Sequence, residues 1–407
     1  MKKTLFLICA ALSRAQDPSQ LLHEPTIAAA LQAAEHNEPE MIDEQVRVCE
    51  IPAPSFKEQV RGQELKRLFE KLGLQNVYID KSGNVLGTRP GAAPRPHLVF
   101  AAHLDTVFPE GTNVKVTRQG TVLKGPGIGD DCRGLAVMLG VIRALSDGHV
   151  QTPGTITFVA NVGEEGLGDL RGMKQLFYES LKDKIDKFVS VDGTGLGVVN
   201  VGVGSYRYRV TFKGPGGHSY GAFGMANPIH AIGRAIDKIA DFEVPTEPKT
   251  TFNVGRVGGG TSVNSIPFEA WFEMDMRSAD VKSLEAVNEK FKSAVHSAVE
   301  EENRRWNNRG KITGEPELVG LRPAGGTPRD TPIVQTALSV SRALGIAEVL
   351  REGSTDSNVP MNLHIPAITI SGGGTGTNAH SLNEAFDTKN SAKGTQRALL
   401  LAVSLAR

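Results

Sequence analysis

Five residues of metal-binding type recur along this chain of 407 residues in the order His, Asp, Glu, Asp, His. The first is in His103-Leu104-Asp105. On an extended chain, residues two apart point to the same side, so His103 can offer a ring nitrogen to a metal while Asp105 supports the ring from behind. Such a pair also occurs by chance at a surface strand end. Next comes Gly125-Pro126-Gly127-Ile128-Gly129-Asp130-Asp131. Its glycines allow a tight path that presents an acid at a helix start. A plain helix cap is the competing reading of Asp130. A phosphate cradle is disfavoured, because no Lys-Ser/Thr follows and an acid stands where phosphate would sit. Glu164-Glu165-Gly166 then places two carboxylates side by side. Adjacent carboxylates repel unless cations or protons compensate. They are either a solvated loop or a pair with divided tasks, one binding metal and one moving protons. Asp192 follows the apolar run Phe188-Val189-Ser190-Val191, and Asn378-Ala379-His380-Ser381 follows the glycines Gly372 to Gly374.

The elements around these residues predict an α/β fold. His97 to Ala102, Thr155 to Val162, Lys187 to Val191 and Ile365 to Ile370 are largely apolar runs, as expected of strands buried on both faces. They alternate with helical patterns, including two in residues 26–75 closed by Gly73, one from Asp131 to Leu145 and one from Thr331. This is the pattern of a mostly parallel sheet with helices on both faces. Active sites of such sheets gather at the carboxyl ends of the strands, where His103, Glu164, Glu165 and Asp192 fall. Near Gly204 the pattern changes. Tyr206 to Lys213 and Phe268 to Arg277 alternate, so each strand has one exposed face. Between them Pro228 to Phe242 is an amphipathic helix with Ile229, Ile232, Ile236 and Ile239 inward, and a long helix follows from Val281 to Trp306. Residues 205–326 are therefore an α+β insertion into one α/β domain formed by 20–204 and 327–407.

Bulk composition narrows the function classes. Hydrophobic residues are 40% and charged residues 22%, the balance of a globular chain. Lys plus Arg equals Asp plus Glu, so no net charge draws the chain to nucleic acid or an anionic membrane. The three cysteines, Cys9, Cys49 and Cys132, fit neither a zinc finger nor a disulfide framework. Any metal must rest on His, Asp and Glu. Residues 1–15 have the form of a short export signal: Lys2 and Lys3, an apolar run, then Ser13-Arg14-Ala15. The run is too short for a stable membrane anchor. A working signal would make the protein periplasmic or secreted; otherwise it is cytoplasmic.

Taken together, His103-Leu104-Asp105, Gly127-Ile128-Gly129-Asp130-Asp131, Gly163-Glu164-Glu165-Gly166, Asp192, Gly216-Gly217-His218-Ser219 and Asn378-Ala379-His380 resemble the zinc metallopeptidases of peptidase family M20. That family includes tripeptide aminopeptidases, glutamate carboxypeptidases and N-acyl amino acid deacylases. The likeness covers nearly the whole chain after the signal. It implies two Zn²⁺ ions per subunit, with Co²⁺ or Mn²⁺ as possible substitutes. Asp130 would bridge them, His103 and Asp192 completing one site and Glu165 and His380 the other. Glu164 would be the general base for a hydroxide held between the metals, and Asp105 the support for His103. The insertion would be a lid and dimerisation domain. Its His218 would reach the partner subunit's site in a homodimer, and Asn264 and Arg277 would contact substrate, Arg277 through a carboxylate.

The chain departs from the family in one place. Where many members carry Asp-Asp-Lys-x-Gly, this chain has Asp130-Asp131-Cys132-Arg133-Gly134. The expected activity is hydrolysis of short peptides. The alternatives are an N-acyl amino acid deacylase on the same site, with Gly353 to Asn358 lining the pocket, and a metal-binding scaffold without catalysis. The retained Glu164 argues against the last, since a scaffold has no need of a base.

Overall fold

The computed structural model describes residues 18–407. The expected export segment, 1–15 with Cys9, lies outside the described residues. No helix of the described residues is long and apolar enough to cross a membrane.

The larger unit is built on a nine-stranded sheet. Its centre is four mutually parallel strands, in the spatial order Thr155–Asn161, His97–His103, Lys187–Val191 and Ala367–Ile370. Antiparallel pairings flank them on both sides. The apolar runs follow from two-sided burial. Leu98, Phe100 and Ala102 enter one core with the helices Pro25–His36, Cys132–Asp147, Pro332–Ala343 and Ala392–Leu405. Val99 and Ala101, one residue out of phase, enter another with Leu170, Met173 and Phe177 on the opposite face. A parallel sheet sandwiched in this way has no solvated side, so its strands cannot alternate.

The chain leaves this sheet at Gly204 and returns at Gly325–Gly326. Between these points lies an antiparallel four-stranded sheet in the order Thr250–Gly259, Glu269–Ser278, Gly204–Lys213, Thr313–Arg322. The helices Pro228–Ala240 and Val281–Arg305 cover one of its faces. Tyr208, Val210, Phe212, Phe272 and Phe291 form a core separate from the others. The other face carries the charged members of the alternation, which fits a sheet with one dry side.

Some sequence expectations shift. The first N-terminal helical stretch divides at Asn37 into Pro25–His36 and Glu38–Cys49, because Pro39 suits a first helical turn and not an interior. Ile229 does not face inward; it is 45% exposed near the start of its helix, and Ala231 and Ala235 join Ile232 and Ile239 inside instead. Pro366 sits just before its strand rather than in it. A further small sheet, Thr375–Thr377, Ala385–Asp387, Val122–Lys124 and Thr117–Gln119, has no counterpart in the sequence reading. Its strands are three residues each, too short for a period to register.

Phe291 is fully buried with its ring centroid 5.0 Å from that of Tyr208. Phe291→Ala should therefore cost roughly 3–5 kcal/mol in denaturant unfolding. Because that core is separate from the sheet bearing the ligands, metal stoichiometry measured on the folded variant should not change.

Candidate metal centre

Three neighbouring parallel strands end at one place. His103 is the last residue of the middle strand, Glu164 and Glu165 follow the strand on one side, and Asp192 follows the strand on the other. Asp130 enters from the loop before the helix Cys132–Asp147, and His380 from the loop between Thr375–Thr377 and Ala385–Asp387. His103 Nε2 lies 3.0 Å from Asp130 Oδ1, and His380 Nε2 lies 3.1 Å from both Asp130 Oδ2 and Glu165 Oε1. Three triads bring ligand atoms within 4.8 Å of one another: His103–Asp130–Asp192, Asp130–Glu165–His380 and His103–Glu164–Glu165. Asp130 belongs to the first two.

The acids that surround these groups hold backbone. Asp131, not Asp130, caps the helix, accepting from Gly134 N at 3.1 Å. It also accepts from His103 N at 3.1 Å and Gly193 N at 3.2 Å, and so ties three ligand-bearing segments to one carboxylate. Its peptide bond to Asp130 is cis. A Cβ at Gly134 would stand 2.3 Å from Asp131 Oδ1, so the capping geometry requires glycine there. With Asp131 taking the cap, both oxygens of Asp130 face the histidines.

Asp105 differs from expectation. Its main-chain carbonyl, not its carboxylate, accepts the hydrogen bond from His103 Nδ1, at 3.0 Å. The carboxylate is 3.7 Å from that nitrogen. It accepts instead from Glu164 N and Glu165 N, both at 2.9 Å, and from the Ser55 hydroxyl at 2.8 Å. A carboxylate with two oxygens can fix two successive amides, and this aims both glutamates. The carbonyl bond still leaves His103 Nε2 as the nitrogen for a metal.

Glu384 and Arg322 were not found in the sequence. Glu384 is buried and accepts from Gly127 N at 3.0 Å, Gly129 N at 2.8 Å and Asp130 N at 3.0 Å. It lies four residues after His380, so one side chain holds the Asp130 loop to the His380 loop. Arg322, on the last strand of the insertion, donates from Nη1 to Glu164 Oε1 at 2.9 Å and from Nη2 to the Glu164 carbonyl. Nothing periodic marks either residue; only their spatial neighbours give them a task.

The sequence profile of Peptidase family M20/M25/M40 matches residues 99–403. The chain is a member of peptidase family M20. Members are hydrolases, among them peptidases, desuccinylases and carboxypeptidases, and the chain is one of these enzymes. Succinyl-diaminopimelate desuccinylase of Methylobacillus flagellatus is 26% identical over 309 residues, which are 71% of this chain and 78% of that one. The crystal structure of aminopeptidase PepT from Bacillus cereus shares the fold with a TM-score of 0.73 and 23% identity, covering 91% of this chain and 99% of that one. YXEP of Bacillus subtilis, described as a dinuclear metal binding peptidase of the M20 family, has a TM-score of 0.66 and 17% identity, covering 91% and 98%.

The donor set of this M20 chain fits metal. Imidazole nitrogen and carboxylate oxygen suit Zn²⁺ and its neighbours, and among the described residues no cysteine joins the triads. The crowding of acids is itself a sign. Burial, then the charge of Asp130, push the Asp192 carboxyl up to about 7. Burial likewise drives Glu164 well above the usual carboxylate range, with Arg322 opposing it. Cations would relieve both.

The remaining expectations resolve unevenly. His218, Asn264 and Arg277 make no hydrogen bond or ion pair with this cluster among the described residues. His218 is exposed, and its Nδ1 accepts from Tyr220 N and Gly221 N at 3.3 Å. Asn264 sits beside it, its carbonyl accepting from Ser219 N. Arg277 pairs with Asp275 at 2.8 Å. In the segment Gly353 to Asn358, Gly353 and Ser354 are half-buried, and the Ser354 hydroxyl accepts from Arg322 at 3.2 Å beside Glu164. Thr355 to Asn358 are buried, and the Asn358 amide holds the carbonyls of Val203 and Pro323 where the insertion begins and ends. The altered motif also has a role. Arg133 turns inward to bind the carbonyls of Gly372 and Ser391, both at 2.7 Å, and Cys132 packs with Cys49, Leu123, Ile128 and Phe386.

Two outcomes follow. Glu384→Ala should weaken metal affinity by roughly ten- to a hundredfold while the fold persists, read by competition with a chelating dye. An unchanged affinity would reduce Glu384 to a loop brace. The second concerns protons. Hydrogen bonds to Asp130 and Glu165 raise His380 to about 10, so it is protonated at pH 7, and Asp192 at about 7 is half so. A cation must displace these protons. Metal binding at pH 7 should release more than one proton, and affinity should fall as pH falls, measured by calorimetry in buffers of different ionisation enthalpy.

Proposed function

We propose that this enzyme hydrolyses the amide bonds of short peptides, using two Zn²⁺ ions and Glu164 as general base. One observation carries the reading. The two oxygens of Asp130 face two different imidazoles, His103 at 3.0 Å and His380 at 3.1 Å. A carboxylate engaged on both oxygens is suited to bridge a pair of cations. His103 and Asp192 would complete one position, Glu165 and His380 the other. When bound, the ions would polarise the scissile carbonyl and acidify the attacking water.

The chain's own residues do the rest. Asp105 fixes the amide of Glu164, so the carboxyl group is aimed before substrate arrives. Burial raises its proton affinity, which suits a group that must take a proton from water and then release it to the leaving nitrogen. Arg322 engages Oε1 and leaves Oε2 for that transfer. His103, held at Nδ1 by the Asp105 carbonyl, presents Nε2 in one orientation. Arg277 and Asn264 would contact substrate from the insertion. His218, exposed in this chain, would act on a partner subunit's site in a homodimer formed through the insertion. The N-terminal segment, read as a signal, would place the enzyme in the periplasm or outside the cell.

A second reading has its own support. Curated relatives at 26% identity are succinyl-diaminopimelate desuccinylases, which favours an N-acyl amino acid as substrate on the same residues. A free-amine tripeptide and its N-acetylated twin, each given to zinc-loaded protein, separate the two. Cleavage of the free-amine form alone supports the peptidase; release of acetate supports the deacylase. In either case Glu164→Ala should retain its metal and lose turnover by roughly a hundred- to ten-thousandfold. Turnover that survives the change removes Glu164 from the role.

A further inference from the structure

Two of the chain's cysteines meet beside the loop that carries Asp130. Cys49 is the last residue of the helix Glu38–Cys49, and Cys132 is the first of the helix Cys132–Asp147. These helices pack against each other. Both cysteine side chains are fully buried, in one small apolar cluster with Ile42, Leu123, Ile128 and Phe386. Their thiols interact directly, each shifting the proton affinity of the other. The Cys49 thiol also donates to the Pro126 carbonyl, with Sγ 3.6 Å from the oxygen. The two residues stand far apart in the chain, so their spacing gave no sign of the meeting.

The backbone on each side is held in place. The Cys49 carbonyl accepts from Arg61 Nη2 at 3.0 Å, and the same guanidinium binds the Leu104 carbonyl at 2.7 Å. Gln45, one turn before Cys49, donates to the Ile128 carbonyl at 2.7 Å. Cys132 N donates to the Gly127 carbonyl at 3.2 Å. Position 132 is also where the chain departs from many of its relatives, which carry lysine there. A buried, unpaired ammonium would be costly at this place. Here the neighbouring Arg133 turns to the carbonyls of Gly372 and Ser391, while Cys132 faces Cys49.

We propose that Cys49 and Cys132 form a disulfide as the chain folds in an oxidising compartment, and that the bond braces the Asp130 loop against the helix Glu38–Cys49. The oxidant is itself a disulfide, either a small one or that of a thiol oxidoreductase. One cysteine thiolate attacks the oxidant's S–S bond, which forms a mixed disulfide and releases one thiol. The second cysteine then attacks the protein-side sulfur, which forms the Cys49–Cys132 bond and releases the second thiol. The protein gives up two electrons and two protons, and the oxidant takes them. Burial pushes the Cys49 thiol up and shuts out the reagent, so the exchange must precede packing of the two helices. The same burial then shields the finished bond from reductants. Disulfides persist in exported proteins, and the N-terminal segment, read as a signal, would deliver the chain to such a place.

The full chain with Cys9→Ser, which removes the third thiol, tests the pairing. It is held with excess oxidised glutathione in urea just below the unfolding midpoint, so that molecules open and close repeatedly. It is then alkylated under denaturing conditions, digested and mapped by mass. Most molecules should yield one linked pair of peptides, carrying Cys49 and Cys132. Two alkylated cysteines, or two capped by glutathione, overturn the proposal. After removal of urea, the oxidised protein should melt on the order of 5 °C above the same protein under reductant. The additional change Cys49→Ser should make the two melting temperatures equal. Equal temperatures without that change would overturn the brace.

Discussion

Carboxylates gathered in one buried space repel each other, and this site gathers four: Asp130, Glu164, Glu165 and Asp192. The architecture around it is an answer to that repulsion. Two imidazoles and one buried guanidinium stand among the acids, at 2.9 to 3.1 Å from their nearest partners. Burial first, and the neighbouring carboxylates after it, raise the proton affinity of Asp192 and Glu164. Such a cluster is stable only if its members cannot swing apart, so each must be anchored on backbone that is itself fixed.

Three further acids do this anchoring. Asp105, Asp131 and Glu384 spend their oxygens on main-chain N–H groups of the segments that carry the ligands. A carboxylate is well suited to the task, because it accepts several N–H bonds at once and donates none. The arrangement also separates two roles that look identical in sequence. Asp130 and Asp131 are neighbours of the same type, yet one faces the histidines and the other binds amides. Glu164 and Glu165 divide in the same manner, one paired with Arg322 and the other with His380.

The insertion is tied to the larger unit around the site by side-chain hydrogen bonds. Arg322 reaches back to Glu164 from its last strand, Arg207 holds the Gly166 carbonyl, and Asn358 ties the two crossing segments together. Two of these contacts fall on the loop that bears the two glutamates. The same face that makes these contacts is the one its own helices leave uncovered.

The sequence by itself determined the sheet centre and the ligand types. Strands buried on two faces must be continuously apolar, so His97–His103, Thr155–Asn161 and Lys187–Val191 were legible, and with them the places where His103, Glu164, Glu165 and Asp192 emerge. The alternation of the inserted strands was legible for the complementary reason, one wet face and one dry. The family resemblance named Asp130 and Glu165 within the two acidic pairs; tertiary structure supplied the physical reason, because the division depends on which amides and side chains lie near. Tertiary structure alone decided the work of Glu384 and Arg322, the inward turn of Arg133, the exposure of Ile229 and the burial of Thr355 to Asn358. These are set by contacts between segments distant in the chain, and a one-dimensional period carries no record of them.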